Sequence, residues 1–64
     1  MNLILKETYI GKHDGLEHVS SMKLKPLDDG GIHVWISNGE KAASFKLYPN
    51  TARELAFFLQ RNIK

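Results

Sequence analysis

The chain has 64 residues, no cysteine and a formal net charge of +2. A chain this short buries only about 60% of its unfolded surface, so it is expected to form a single domain over residues 1–64. The lack of cysteine excludes a disulfide framework, a thiolate zinc site and a thiol nucleophile.

The first predicted element is a strand over about residues 2–10, which ends in a polar loop bracketed by Gly11 and Gly15. The buried face of this strand is ambiguous. One candidate set is Leu3, Leu5 and Tyr9, with Glu7 among them; the other is Ile4 and Ile10, with Lys6 and Thr8.

The second strand is clearest at Met22-Lys23-Leu24-Lys25, where apolar and basic residues alternate. The segment 18–21 is irregular, which indicates a bulge or a late start of the strand. Asp28-Asp29-Gly30-Gly31 is typical of a turn. A three-residue loop over 29–31 fits the alternation best and would place Leu24 opposite Ile36.

The third and fourth strands form the most strongly predicted hairpin. Ile32, Val34 and Ile36 alternate with His33, Trp35 and Ser37, and Asn38-Gly39 follows at once. That dipeptide favours a two-residue type I′ turn, because both central positions need positive φ. This turn would place Trp35 opposite Ala42 and Val34 opposite Ala43.

A change to helical periodicity follows the fourth strand. Thr51-Ala52-Arg53-Glu54 matches a capping box, so the helix is predicted to begin there, after Pro49-Asn50 ends the strand. We define the helix stripe as the apolar positions that share one side of this helix and that we expect to pack on the sheet: Ala52, Leu55, Ala56, Leu59 and Ile63. Phe57 projects about 140° away from the stripe, and Phe58 lies at the opposite flank. The predicted fold is α+β: a four-stranded antiparallel meander followed by one C-terminal helix (ββββα).

Catalytic and metal-binding chemistry is not indicated. The histidines His13, His18 and His33 have no carboxylate at a spacing that would orient an imidazole for acid-base work. His13, Asp14, Glu17 and His18 could converge on a metal, but a polar turn is the simpler interpretation. We therefore expect no enzyme, no cofactor, no metal and no small-molecule substrate.

The predicted register gathers basic and aromatic residues on the side of the sheet opposite the helix. We call this side the basic-aromatic face; it comprises Lys23, Lys25, His33, Trp35, Ser44, Lys46 and Tyr48, with Lys6 and Thr8 as further candidates. Single-stranded nucleic acid can use such a face, because bases stack on the rings and ammonium groups neutralise phosphates. The competing interpretation is an ordinary solvated face, where lysines are common and aromatics favour strands.

Several apolar residues exceed what one sheet–helix interface can cover. Phe57, Phe58 and the unburied set of the first strand belong to this excess. A symmetric contact through the helix or an edge strand would bury Phe57, so a homodimer is expected.

The join Phe45-Lys46-Leu47-Tyr48-Pro49, leading into Thr51-Ala52-Arg53-Glu54-Leu55 and Leu59, resembles the PC4-type transcriptional coactivator domain. The resemblance implies a homodimer that binds single-stranded DNA on its sheet and packs helices across the dimer. It covers the last third of the chain. Met22-Lys23-Leu24-Lys25 is only a partial counterpart of the aromatic-rich, basic second strand of that family.

The leading hypothesis is a non-enzymatic module that binds single-stranded DNA or RNA, in a transcription-related role, through Lys23, Lys25, His33, Trp35, Lys46 and Tyr48. The alternative is a protein-interaction adaptor or inhibitor that acts through an edge strand or the Phe57 side of the helix. No apolar run approaches the roughly 20 residues that span a bilayer, and no signal peptide is evident, so a cytoplasmic location is expected.

Overall fold

A computed structural model describes residues 1–63, and it confirms the predicted ββββα order. The strands are β1 (Leu3–Ile10), β2 (Glu17–Pro26), β3 (Ile32–Ser37) and β4 (Ala42–Leu47), and they are followed by the helix α1 (Pro49–Asn62). The strands form one antiparallel sheet in the order β1-β2-β3-β4. Each strand thus pairs with its neighbour in sequence, as expected of a meander. Within residues 1–63, no helix has both the length and the apolar character needed to cross a membrane.

The predicted partners in the two central hairpins are wrong by two residues. Leu24 lies opposite Val34 rather than Ile36, and Trp35 lies opposite Ser44 rather than Ala42. The connections are longer than predicted, because residues 27–31 and 38–41 both lie outside the paired strands. A shift of two residues leaves every side chain on its predicted face, since the side-chain period of a strand is two.

Local hydrogen bonds explain why the two loops are longer. In the loop after β3, the Asn38 side-chain oxygen accepts from the backbone N–H groups of Glu40 and Lys41, at 3.0 and 2.8 Å. Gly39 takes a φ of +93° inside this loop. In the loop after β2, Asp29 accepts from the Gly31 N–H at 2.8 Å. Side-chain acceptors of this kind stabilise wider turns, which the dipeptide pattern alone does not predict.

The first hairpin resolves the ambiguous face of β1. Leu3, Leu5 and Tyr9 lie opposite Leu24, Met22 and His18, whereas Ile4 and Lys6 lie opposite Lys23 and Ser21. The pairing runs without interruption from Glu17 to Leu24, so the predicted bulge or late start at 18–21 is wrong. We define the aliphatic face as the side of the sheet that carries Leu3, Leu5, Met22, Leu24, Val34, Ile36, Ala43, Phe45 and Leu47.

The predicted start of the helix is wrong. The N-cap is Tyr48, and Pro49 occupies the first helical turn, so Thr51 is already inside the helix and no side chain caps it. Proline suits this position, because its missing N–H would have had no helical partner and its fixed φ favours the first turn. The Ala52 N–H donates to the Tyr48 carbonyl at 2.9 Å.

Packing of the helix stripe on the sheet of the same chain is limited to its first residue. Ala52 is buried, whereas Leu55 and Leu59 are 39% and 47% exposed. The main contact of α1 with the sheet is at β4. Val34 and Ala52 are the buried apolar residues of the part of the chain described, so the core is very small. The prediction that the stripe lies on the sheet of its own chain is therefore wrong beyond Ala52.

Candidate nucleic-acid interface

The strand register places the predicted basic and aromatic residues on a common face. Lys23 lies opposite Trp35, Lys25 opposite His33, and Lys46 opposite His33 on its other side. Lys6 joins them through its pairing with Ser21. Because these pairs adjoin across β1 to β4, the ammonium groups are distributed over the whole width of the sheet.

Charge is segregated between the two faces. On the strand positions of the basic-aromatic face, Lys6, Lys23, Lys25 and Lys46 are accompanied by a single acidic residue, Glu17, at the far end of β2. The other strand acid, Glu7, lies on the aliphatic face opposite Ser20. The remaining acidic residues belong to loops and to the helix. This distribution concentrates positive potential on one side of a chain whose net charge is small.

Trp35 is held between two neighbours. The rings of His33 and Trp35 stack with centroids 4.0 Å apart and planes 9° apart, so His33 covers one face of the indole. The Lys23 ammonium lies 5.0 Å from the centroid of the same ring system. The indole is therefore half-buried, and its environment combines an aromatic stack with a cation–π contact.

His33 carries the one shielded side-chain polar atom without a hydrogen-bond partner in the described chain, Nε2. Buried polar atoms nearly always have a partner, so such an atom in a native fold calls for a physical account. Stacking of the imidazole on Trp35 fixes the ring plane and with it the direction of Nε2.

Lys46 forms an ion pair with Asp29, which lies in the loop between β2 and β3. Its ammonium donates to Asp29 at 2.6 Å and lies 4.4 Å from the centroid of the Tyr48 ring. The hydrogen bond from Lys46, followed by that from the Gly31 backbone, lowers the pKa of Asp29, and the Asp29 carboxylate in turn raises the pKa of Lys46. Asp29 thus neutralises one of the four lysines of the face. Tyr48 is 65% exposed and offers an open ring at the edge of the sheet.

A shallow groove crosses the basic-aromatic face beside the tryptophan. Its volume is about 460 Å³, and on this face Ile4, Lys6, Lys23, Trp35 and Ser44 line it. Ile4 belonged to one of the two candidate inward sets of β1, and the register instead makes it an apolar wall of this groove. The sequence-based prediction left Ile4 out of the site. The signal that could have placed it there is its spacing of two residues from Lys6, which puts both side chains on the same face of β1.

The polar turn between β1 and β2, which the sequence offered as a possible metal site, contains a hydrogen-bonded pair of Asp14 and His18. His18 Nε2 lies 3.0 Å from Asp14 Oδ2, and the imidazole stacks on Tyr9 with centroids 5.2 Å apart. The prediction that no carboxylate lies at a spacing that would orient a histidine is therefore wrong for His18, because Asp14 is four residues before it and contacts its ring. The Leu16 N–H donates to Asp14, and this hydrogen bond lowers the pKa of the carboxyl. Residues 1–63 contain no group of three or more His, Cys, Asp or Glu side chains arranged to hold a metal ion.

Comparison of the chain with protein-family models, with curated proteins and with solved structures finds no match. The resemblance to PC4-type domains therefore stays a prediction made from the residues quoted above.

Proposed function

We propose that this chain is a small non-enzymatic module that binds single-stranded nucleic acid on its basic-aromatic face. The observation that carries the proposal is the segregation of Lys6, Lys23, Lys25 and Lys46 with Trp35 on one side of the sheet. Phosphates are attracted by such a surface, and exposed bases need an aromatic platform beside it. A duplex offers the phosphates but hides the base faces, so the tryptophan favours a single strand.

Stacking of a base on the Trp35 ring is more favourable than the contact of the Lys23 ammonium with that ring. A cation–π contact at an exposed site contributes about 0.5–1 kcal/mol, whereas base–aromatic stacking contributes about 1–3 kcal/mol. A base that displaces the Lys23 ammonium from Trp35 therefore gains more than it costs. The displaced ammonium is on a flexible stem and remains within reach of the neighbouring phosphate.

His33 has a supporting role in the proposal. Its stack on Trp35 leaves the second face of the indole as the one that a base can occupy. Its Nε2 atom has no partner among the described residues, so it is free to bond to a phosphate or base oxygen once a ligand rearranges the site. Tyr48, beside Lys46 at the edge of the sheet, provides a second ring for stacking.

The direct test is a titration with a short single-stranded oligonucleotide at low salt, followed by the fluorescence of Trp35, which is the only tryptophan. Stacking of a base on the indole is expected to quench the emission. A matched duplex should quench it less, because its bases are already stacked. Unchanged emission with the single strand, together with no binding by a labelled oligonucleotide, would refute the proposal.

The second candidate function is a protein-interaction adaptor, and it is favoured by the exposure of the helix. Phe57 and Phe58 are 53% and 61% exposed, and every residue of the edge strand β1 is exposed. Phe57→Glu tests this function: loss of partner capture with an intact fold would support an adaptor acting through the helix. Thr51→Glu adds the same single charge at an exposed position of the same helix, about 120° around the axis from Phe57, and is the charge control.

A further inference from the structure

The first strand forms one edge of the sheet and is open to solvent along its whole length. β1 pairs with β2 on one side only, and all 8 of its residues are exposed. The opposite edge is different, because β4 has 6 residues and the helix α1 contacts it. An edge strand presents a row of backbone N–H and C=O groups with which another strand can pair. β1 is therefore the longer and the more accessible of the two edges.

β1 also lacks the features that commonly prevent an edge strand from pairing further. It contains no proline, and its pairing with β2 runs residue by residue from Leu3 to Ile10 without a bulge. Many natural edge strands are very short, bulged or interrupted by proline, and these features block the approach of another strand. The backbone of β1 is thus suited to accept one more strand.

Two charges at the middle of β1 have no charged partner in the part of the chain described. Lys6 and Glu7 lie opposite Ser21 and Ser20 of β2, and neither belongs to an ion pair among residues 1–63. Their side chains point to opposite faces of the sheet, because successive residues of a strand alternate. A strand beside β1 would therefore meet a positive charge on the basic-aromatic face and a negative charge on the aliphatic face.

These charges disfavour pairing of β1 with the β1 strand of a second copy. In a two-fold antiparallel pair, both chains turn the same face to the same side, so each residue lies opposite a residue of its own face. The two registers with the longest overlap are centred on Lys6 and on Glu7. They place two ammonium groups or two carboxylates directly opposite each other, which is destabilising. The strand that fits this edge therefore has a different sequence.

We propose that β1 binds an extended segment of another protein as a fifth, antiparallel strand whose charges complement Lys6 and Glu7. Antiparallel pairing continues the pattern of the existing sheet, and it is slightly more stable per residue than parallel pairing. The segment places an acidic residue opposite Lys6 and a basic residue opposite Glu7. Apolar residues lie opposite Leu3, Ile4 and Leu5, so from its N-terminus the segment reads basic, acidic and then three apolar residues.

Backbone and side chains have separate roles in this binding mode. The hydrogen bonds of the added strand provide attraction that is independent of sequence, and the side chains that alternate between the two faces select the partner. Leu3, Ile4 and Leu5 are 51%, 60% and 48% exposed, and the apolar residues of the segment cover their outer sides. The inference rests on the adaptor function, the second candidate above, and names the class of partner that this function would serve.

The test uses the full chain and a blocked peptide, Val-Thr-Lys-Glu-Val-Val-Val, whose Lys and Glu would lie opposite Glu7 and Lys6. With an isotope-labelled chain, NMR titration is expected to slow amide exchange in β1 and to give NOEs between Hα protons of the peptide and of β1. The same peptide methylated at the backbone amides that face β1 cannot donate the hydrogen bonds and should not bind. No spectral change at millimolar peptide, or equal binding of the methylated peptide, would overturn the proposal.

Charge reversal on β1 tests the side-chain pairing. Lys6→Glu sets two carboxylates opposite each other and should weaken peptide binding about tenfold. In this variant, a peptide with Lys in place of its Glu should recover the lost affinity. Lys12→Glu makes the same change of charge in the loop after β1 and should show neither the loss nor the recovery. Equal losses in the two variants, or no recovery in Lys6→Glu, would contradict the proposal.

The outcomes separate this proposal from the function on which it rests. If partner capture depends on Phe57 and the peptide does not bind β1, the adaptor function stands and the edge-strand proposal is overturned. The peptide titration contains no oligonucleotide, so its result is also independent of the nucleic-acid proposal.

Discussion

The salt dependence of oligonucleotide binding provides a quantitative prediction for the basic-aromatic face. Lys46 is paired with Asp29, so Lys6, Lys23 and Lys25 are the lysines of this face free to neutralise phosphates. Three phosphate contacts to a single strand give a slope of log affinity against log salt of about −2.1. Affinity should therefore fall about 20-fold between about 50 and 200 mM salt.

Substitution of one lysine changes this slope by a defined amount. Lys23→Gln leaves two contacts, so the slope should become about −1.4 and the same salt increase should reduce affinity only about 7-fold. Lys12→Gln removes the same charge from the loop between β1 and β2, outside the face, and is the matched control. Titrations followed by Trp35 emission, with a labelled oligonucleotide as a second probe, measure all three slopes.

The comparison between the two variants decides the outcome. If Lys12→Gln and Lys23→Gln change the slope equally, attraction is a property of net charge and not of this face. A wild-type slope shallower than about −1 would mean that fewer than two phosphates are contacted, which is too few for the surface described. Either result would refute the assignment of the lysines.

Three further predictions concern the Asp29–Lys46 pair and the core. Asp29→Asn keeps an acceptor for the Gly31 N–H but frees Lys46, so oligonucleotide binding should tighten and its salt slope should steepen by about 0.7; an unchanged slope would contradict this. The Lys46 hydrogen bond lowers the Asp29 pKa from 3.8, so the ionised Asp29 stabilises the fold above pH 3.8, and this stabilisation is lost as pH falls through the lowered pKa. The urea denaturation midpoint should therefore fall less on acidification in Asp29→Asn than in the wild-type chain. Val34→Ala, at a side chain only 3% exposed, should reduce the free energy of unfolding by about 2 kcal/mol; a loss below about 0.5 kcal/mol by urea denaturation would show that Val34 is not core.

The composition of the basic-aromatic face was predictable from sequence, although its strand partners were not. Alternation assigns Trp35 and Lys46 to the same side of the sheet as long as any error in loop length is an even number of residues. The two loops each exceeded the predicted length, yet both register errors were even. The partners depended on side-chain acceptors such as Asn38 and Asp29, whose hydrogen bonds depend on the folded loop geometry.

Helix placement was less predictable, for a physical reason. The stripe of Leu55 and Leu59 indicates that one side of α1 must be covered, but an amphipathic pattern does not specify which sheet covers it. That depends on the connection between β4 and α1, which is the single residue Tyr48 because the helix starts at Pro49. A helix start at Thr51 would have left a connection of three residues, Tyr48, Pro49 and Asn50, which could have turned the helix back onto the sheet. The two-residue difference in the helix start therefore removes much of the freedom needed to fold back.

The two candidate functions use different surfaces, and this gives them separable signatures. Lys23→Gln should change the salt slope of oligonucleotide binding but not partner capture, because Lys23 lies on the basic-aromatic face. Phe57→Glu should change partner capture, while a chain that remains folded keeps its salt slope, because Phe57 lies on the helix and not on the sheet. If both substitutions changed the salt slope equally, the phosphate contacts would not be confined to the basic-aromatic face.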